Sequence, residues 1–141
     1  MTDSQEYRLK LATGFLKEAG QDLNLRRWRS AMNHAQLAVE NAAKAILAWI
    51  GPVGRTHHPA PLLREAMQRG TFSKTQQPAV ERLAELAELL GVDIHIQNDY
   101  GDEAGGLTPW ELFDEADAKQ ALGMAEEAVH LAQTVVQEHP H

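Results

Sequence analysis

The sequence contains no cysteine, which excludes disulfides, thiolate metal sites and cysteine nucleophiles. Aromatic residues make up only 6% and β-branched runs are scarce. Alanine, leucine, glutamate and glutamine dominate instead, a balance that favours helix over strand. No apolar run approaches the roughly 18 residues that cross a bilayer, and the opening Thr2-Asp3-Ser4-Gln5-Glu6 is polar and acidic, unlike a signal peptide. The expectation is a cytoplasmic protein without membrane association. There is no glycine-rich phosphate loop, no His-Glu-x-x-His pattern and no serine in a nucleophile setting, so neither a metal nor a cofactor is expected.

Basic residues are missing from the second half. Residues 70–141 hold three Lys and Arg against fourteen Asp and Glu, whereas residues 1–69 hold ten against six, and the net charge is −7. So acidic a chain is ill suited to nonspecific nucleic-acid binding, which needs a cationic face. Arg26-Arg27-Trp28-Arg29 is the local exception. Cations at the positive end of a helix are each unfavourable by about 0.3–1 kcal/mol when exposed. Compensation is expected from the seven carboxylates between Asp99 and Asp117 or from a dimer mate, the other source being a phosphate group or an acidic partner.

What is present is an uninterrupted helical stripe. Leu25, Trp28, Met32, Ala35, Val39, Ala42, Ile46 and Trp49 follow one another at steps of three and four, which holds them on one side of a central helix. Ala31, Ala38 and Ala45 widen the stripe with side chains small enough for close helix packing. Gln36, Glu40 and Lys44 line the other side, each four apart. Glu40 before Lys44 is the favourable order for a helical ion pair, worth about 0.3–0.5 kcal/mol when exposed. Partial burial is expected, because other helices must cover the adjoining stripe.

Taken in order, residues 1–141 read as a single domain. Asp3 or Ser4 caps a first helix that ends near Ala19 at Gly20; Gln21-Asp22-Leu23 forms the link, and Asn24 caps the central helix, which stops at Gly51-Pro52. Pro59 or Pro61 starts a short third helix ending at Gly70, and Pro78 starts a fourth ending at Gly91. Residues 92–107 show no helical pattern: Ile94-His95-Ile96 reads as a brief extended piece and Asp102 to Gly106 as a flexible acidic turn. Thr108-Pro109-Trp110-Glu111 has capping-box spacing. Asp114 caps the last helix, whose stripe runs from Ala118 to Val136, and the tail 138–141 is expected to be disordered. The fold class is therefore all-α, an up-and-down bundle of four or five helices with a long acidic loop before the last.

His34-Ala35-Gln36, then Ala38-Val39-Glu40, then Lys44-Ala45, followed by His57-His58 and by Phe113-Asp114-Glu115-Ala116-Asp117-Ala118, resembles a HEPN domain from about Leu9 to about Val136. The resemblance implies a helical bundle. It also implies self-association, pairing with a small nucleotidyltransferase, in some cases as toxin and antitoxin, and a nucleotide ligand. Many HEPN proteins are metal-independent ribonucleases that use an arginine, four to six residues and a histidine. Arg29 and His34 have that spacing, and the chemistry suits a scissile phosphate. In those nucleases, however, the pair opens a late helix, and here it opens the second. Five residues along a helix also turn the two side chains about 140° apart. Where the family commonly has Arg-Tyr-Pro-Asp this chain has Asp99-Tyr100-Gly101-Asp102, and a carboxylate there repels phosphate.

The reading is a non-catalytic, self-associating binding module, with a ribonuclease using Arg29 and His34 as the alternative. The ligand-binding candidates are Arg29, His34, Gln36, Glu40, Lys44, His57, His58 and Tyr100. Adjacent His57 and His58 project differently and lack a third ligand, so packing or capping is expected of them; His95, between two isoleucines, is expected to be half-buried. A homodimer is expected because the short third helix is too small to cover its neighbours' outer faces.

Overall fold

A computed structural model describes residues 3–138. Among them are seven helices and no strand: α1 (Asp3–Asn24), α2 (Trp28–Ile50), α3 (Ala60–Gln68), α4 (Gln77–Leu89), α5 (Val92–Tyr100), α6 (Pro109–Leu112) and α7 (Glu115–Gln137). No helix of the described residues is long and apolar enough to cross a membrane. Apart from Glu138, which follows α7, the tail expected to be disordered lies outside the described residues.

The sequence pattern locates the long helices and misplaces one corner. Gly20 does not end α1, which continues to Asn24. α1 holds two glycines, Gly14 and Gly20; each costs only about 1 kcal/mol relative to alanine, and antiparallel packing along α2 outweighs that. The turn comes at Arg26, with φ +60°. Arg26 N–H donates to the Leu23 carbonyl and Arg27 N–H to the Asp22 carbonyl, a terminating motif whose left-handed position usually holds glycine. Asn24 therefore ends α1 rather than capping α2, whose first turn has no side-chain cap.

α2 is the buried axis. It is covered by α1 and α7 along its length and by α3, α4 and α5 elsewhere. Its stripe from Met32 to Ile46 is buried, and Leu25, in the corner, is exposed. α3 and α4 act as a pair over α2, with Arg64 reaching Glu81 and Glu88 across them, while Ile50 at the end of α2 stays 43% exposed. Much of the core is alanine, which lets the long helices approach closely. α4 is tied to α7 by Arg82 and Glu127.

The second departure is α5, within the stretch read as an extended piece and a long loop. Gly91, buried against the end of α4, turns the chain, and helix follows directly. Its hydrophobic periodicity is weak; packing on α2 decides its form. The acidic loop contracts to 101–108, closed by paired backbone hydrogen bonds between Asp102 and Leu107. Gly101 takes φ +71°, and a Cβ there would collide with the Leu107 carbonyl. Proline, fixed near φ −65°, cannot adopt that conformation. Capping boxes at Thr108 and Asp114 start α6 and α7, where their spacing places them.

Candidate functional site

The i, i+4 spacing that stacks Gln36, Glu40 and Lys44 puts them on the side of α2 facing α5 and the loop before α3. All three are buried. The Glu40 carboxylate accepts from Lys44 Nζ at 3.1 Å and from Gln36 Nε2 at 3.2 Å. His57 Nδ1 lies 3.0 Å from its Oε1. A carboxylate only 4% exposed is tolerable in the interior because it has an opposite charge and several donors. His57 is half-exposed and stacks on His95 of α5, with ring centroids 4.6 Å apart and an angle of 18°. His58 points elsewhere: it is exposed, and its backbone N–H donates to Thr56 Oγ1.

One turn beyond His95, Asn98 is fully buried, with both atoms of its amide unpartnered among the described residues; His95 Nδ1 and Gln36 Oε1 are likewise unpartnered. Sequence reasoning missed His95 and Asn98 as site residues because Ile94-His95-Ile96 alternates like a strand. The usable signal was the three-residue spacing of His95 and Asn98, which puts both on one face of a helix.

Arg29 and His34 part company. Arg29 Nε donates to the Asn98 carbonyl at 2.6 Å, its guanidinium lies 5.2 Å from the Trp110 ring centre, and Asp99 is 3.8 Å away. His34 instead faces α1: Nδ1 is 2.6 Å from Asp22 Oδ2, Nε2 is 3.2 Å from Glu18 Oε2, and the ring stacks on Phe15. Tyr100, at the end of α5, is 66% exposed. Among the described residues no group of three His, Asp or Glu could hold a metal ion.

The expected internal compensation of the arginine cluster is met at one member. Asp99 approaches Arg29, while Arg26 and Arg27 have no ion-pair partner among the described residues. Arg26 lies over Trp28, 5.4 Å from the ring centre. With Ser30 and Trp110 these residues line a pocket of about 320 Å³.

The family model for the HEPN domain matches residues 5–135. Among solved structures the chain is similar to the crystal structure of TT1696 from Thermus thermophilus. That match has a TM-score of 0.69 at 20% identity and covers 94% of this chain and 98% of the other, a likeness of fold. No curated protein matches the sequence.

Proposed function

The chain belongs to the HEPN domain family, and from that premise we propose a non-catalytic helical binding module that associates with itself and pairs with a small nucleotidyltransferase, in the manner of a toxin and its antitoxin, with a nucleotide as ligand. The observation that carries the non-catalytic part is the separation of Arg29 from His34. The arginine is committed to Asn98, Asp99 and Trp110, and the histidine has a carboxylate of α1 at each ring nitrogen. The arginine cannot hold the scissile phosphate while the histidine deprotonates the attacking 2′-hydroxyl when the two serve different sides of the helix. Self-association is supported by the outer face of α5, where Ile96 and Tyr100, one turn apart, are 49% and 66% exposed.

Purified protein incubated with single-stranded and structured RNA in the absence of metal is expected to leave both intact. Cleavage that disappears in His34→Ala would establish the ribonuclease instead. Light scattering on the same sample reads self-association: a mass of one chain, 15.6 kDa, at low micromolar protein would remove that part of the reading.

A further inference from the structure

The end of α4, one side of α5 and the first turns of α7 enclose an apolar pocket of about 310 Å³. Buried Met32 and Phe113 line it, together with half-buried Ile94 and Met124 and with Leu89, which is 54% exposed. Gln97, Asp117 and Gln120 supply its polar lining. From α5 the pocket takes Ile94 and Gln97, on a different side of that helix from Ile96 and Tyr100, so it is separate from the face offered for self-association. Its surroundings carry one sign of charge. Between Arg82 and Lys119 the sequence has ten Asp and Glu and no Lys or Arg. Nearby, Glu88 is taken up by Arg64 and Glu115 by Lys119. Asp117 in the pocket and Asp93, one turn before Gln97, have no ion-pair partner among the described residues.

We propose that this pocket docks a basic amphipathic helix of a partner protein, with a leucine-sized side chain entering beside Leu89 and Met124 and flanking Lys or Arg facing Asp93 and Asp117; the proposal rests on reading the chain as a module that works through a partner. A concave apolar site with polar groups around it is the form in which an anchoring side chain is received, and a helix presents such anchors at one-turn spacing. Unbranched, polarisable methionines adjust to anchors of varied shape, and the exposed Leu89 gains by being covered. The amides of Gln97 and Gln120 offer donors and acceptors to the polar side of a docked segment. Charge decides among the occupants. An anionic membrane surface is repelled, and a second copy docked by this face would set Asp93 and Asp117 against their own counterparts. A free apolar molecule would leave the carboxylates unused. A basic helix is steered in by the whole acidic stretch and matches both the apolar interior and its acidic surroundings.

The test is a titration of a fluorescein-labelled peptide of lysine and leucine, about twelve residues long with its leucines at helical spacing, read by fluorescence anisotropy at about 0.1 M salt. Saturation is expected in the micromolar range. A peptide of the same composition with its leucines spread around the helix, and one with glutamate in place of lysine, should each bind at least about tenfold more weakly. Leu89→Lys/Gln120→Lys should weaken binding at least about tenfold. Thr13→Lys/Gln137→Lys changes the net charge equally outside the pocket and should stay within about threefold of wild type. All four positions are exposed, so both variants should melt as wild type does. The proposal is overturned by no saturation up to about 1 mM, by equal binding of the spread-leucine peptide, or by equal losses in the two variants. It is also overturned if light scattering shows that Leu89→Lys/Gln120→Lys has lost self-association, which would assign this face to a second copy. RNA cleavage would remove the non-catalytic reading without touching this titration, and a failed titration would remove the docking site while leaving that reading in place.

Discussion

Two regions of α2 hold charge in opposite ways. In the middle, Glu40 and Lys44 are buried and meet each other at 3.1 Å, with Gln36 and His57 completing the shell of the carboxylate. At the start, Arg26 and Arg27 stand exposed and without an ion-pair partner among the described residues, on a chain with a surplus of carboxylates. The buried charges are neutralised inside the chain because the interior leaves no alternative. The surface cations are under no such constraint, since water can solvate them. Their lack of ion-pair partners among the described residues costs the fold little, so the difference separates charges that hold the fold together from charges that the fold does not use.

The sharpest way to break that contrast is Glu40→Ala. It strands Lys44 in the interior with no opposite charge, and the expected loss is about 3–5 kcal/mol, or roughly 10–17 °C in melting temperature for a domain of this size. Replacing Glu40 and Lys44 together by Leu and Met should cost clearly less, because no charge is then left buried. Thermal melts of wild type and both variants decide it. An unchanged melting temperature in Glu40→Ala would mean that the network is ornamental.

Arg29 belongs to the pocket by position and to the structure by its bonds, so it sharpens the comparison from within the cluster. Arg29→Ala removes a charged hydrogen bond to the Asn98 carbonyl and the cover over Trp110. The expected cost is about 1.5–3 kcal/mol, read as a shift in urea midpoint. Arg27→Ala, with no ion-pair partner among the described residues, should stay within about 0.5 kcal/mol of wild type, and Arg26→Ala, which uncovers Trp28, within about 1 kcal/mol. Equal losses at all three positions would erase the distinction between the pinned arginine and the two unpaired ones.

How much of this was readable in advance depended on the range of the interaction. The stripe from Met32 to Ile46 and the stack of Gln36, Glu40 and Lys44 are consequences of helical period, and both fell where spacing puts them. The capping boxes at Thr108 and Asp114 depend on residues three apart and were equally visible. α5 was not, because nine residues with little apolar periodicity take their shape from the helix they lie against. The α1–α2 corner misled for a related reason: Gly20 is a stop signal only where nothing beyond it packs, and the real turn uses Arg26, which local preference would not select. The partition of Arg29 and His34 to different neighbours was foreshadowed by their offset of about 140° around the helix. Which neighbours they would find, Asn98 and Asp22, needed the fold.

The smallest expected effect lies at the exposed end of the same scale. Arg82 makes a two-pronged contact with Glu127, Nε to Oε2 at 2.8 Å and Nη2 to Oε1 at 3.0 Å, and joins α4 to α7. The geometry is good, but the two side chains are 39% and 42% exposed. Solvent screening keeps the contribution of the pair small. Hydrogen bonding from Arg82 is the main cause that lowers the pKa of Glu127 below its ordinary value. A carboxylate with a depressed folded-state pKa contributes stability that is present above its unfolded value, about 4.3, and is lost as pH falls through the folded value. Glu127→Gln should therefore lower the urea midpoint slightly at about pH 7, with the gap to wild type closing as the pH falls through the folded-state value and the native carboxylate is protonated. A gap that persists unchanged in acid would mean that the glutamine has disturbed the packing of α4 on α7, and that charge at this seam contributes nothing.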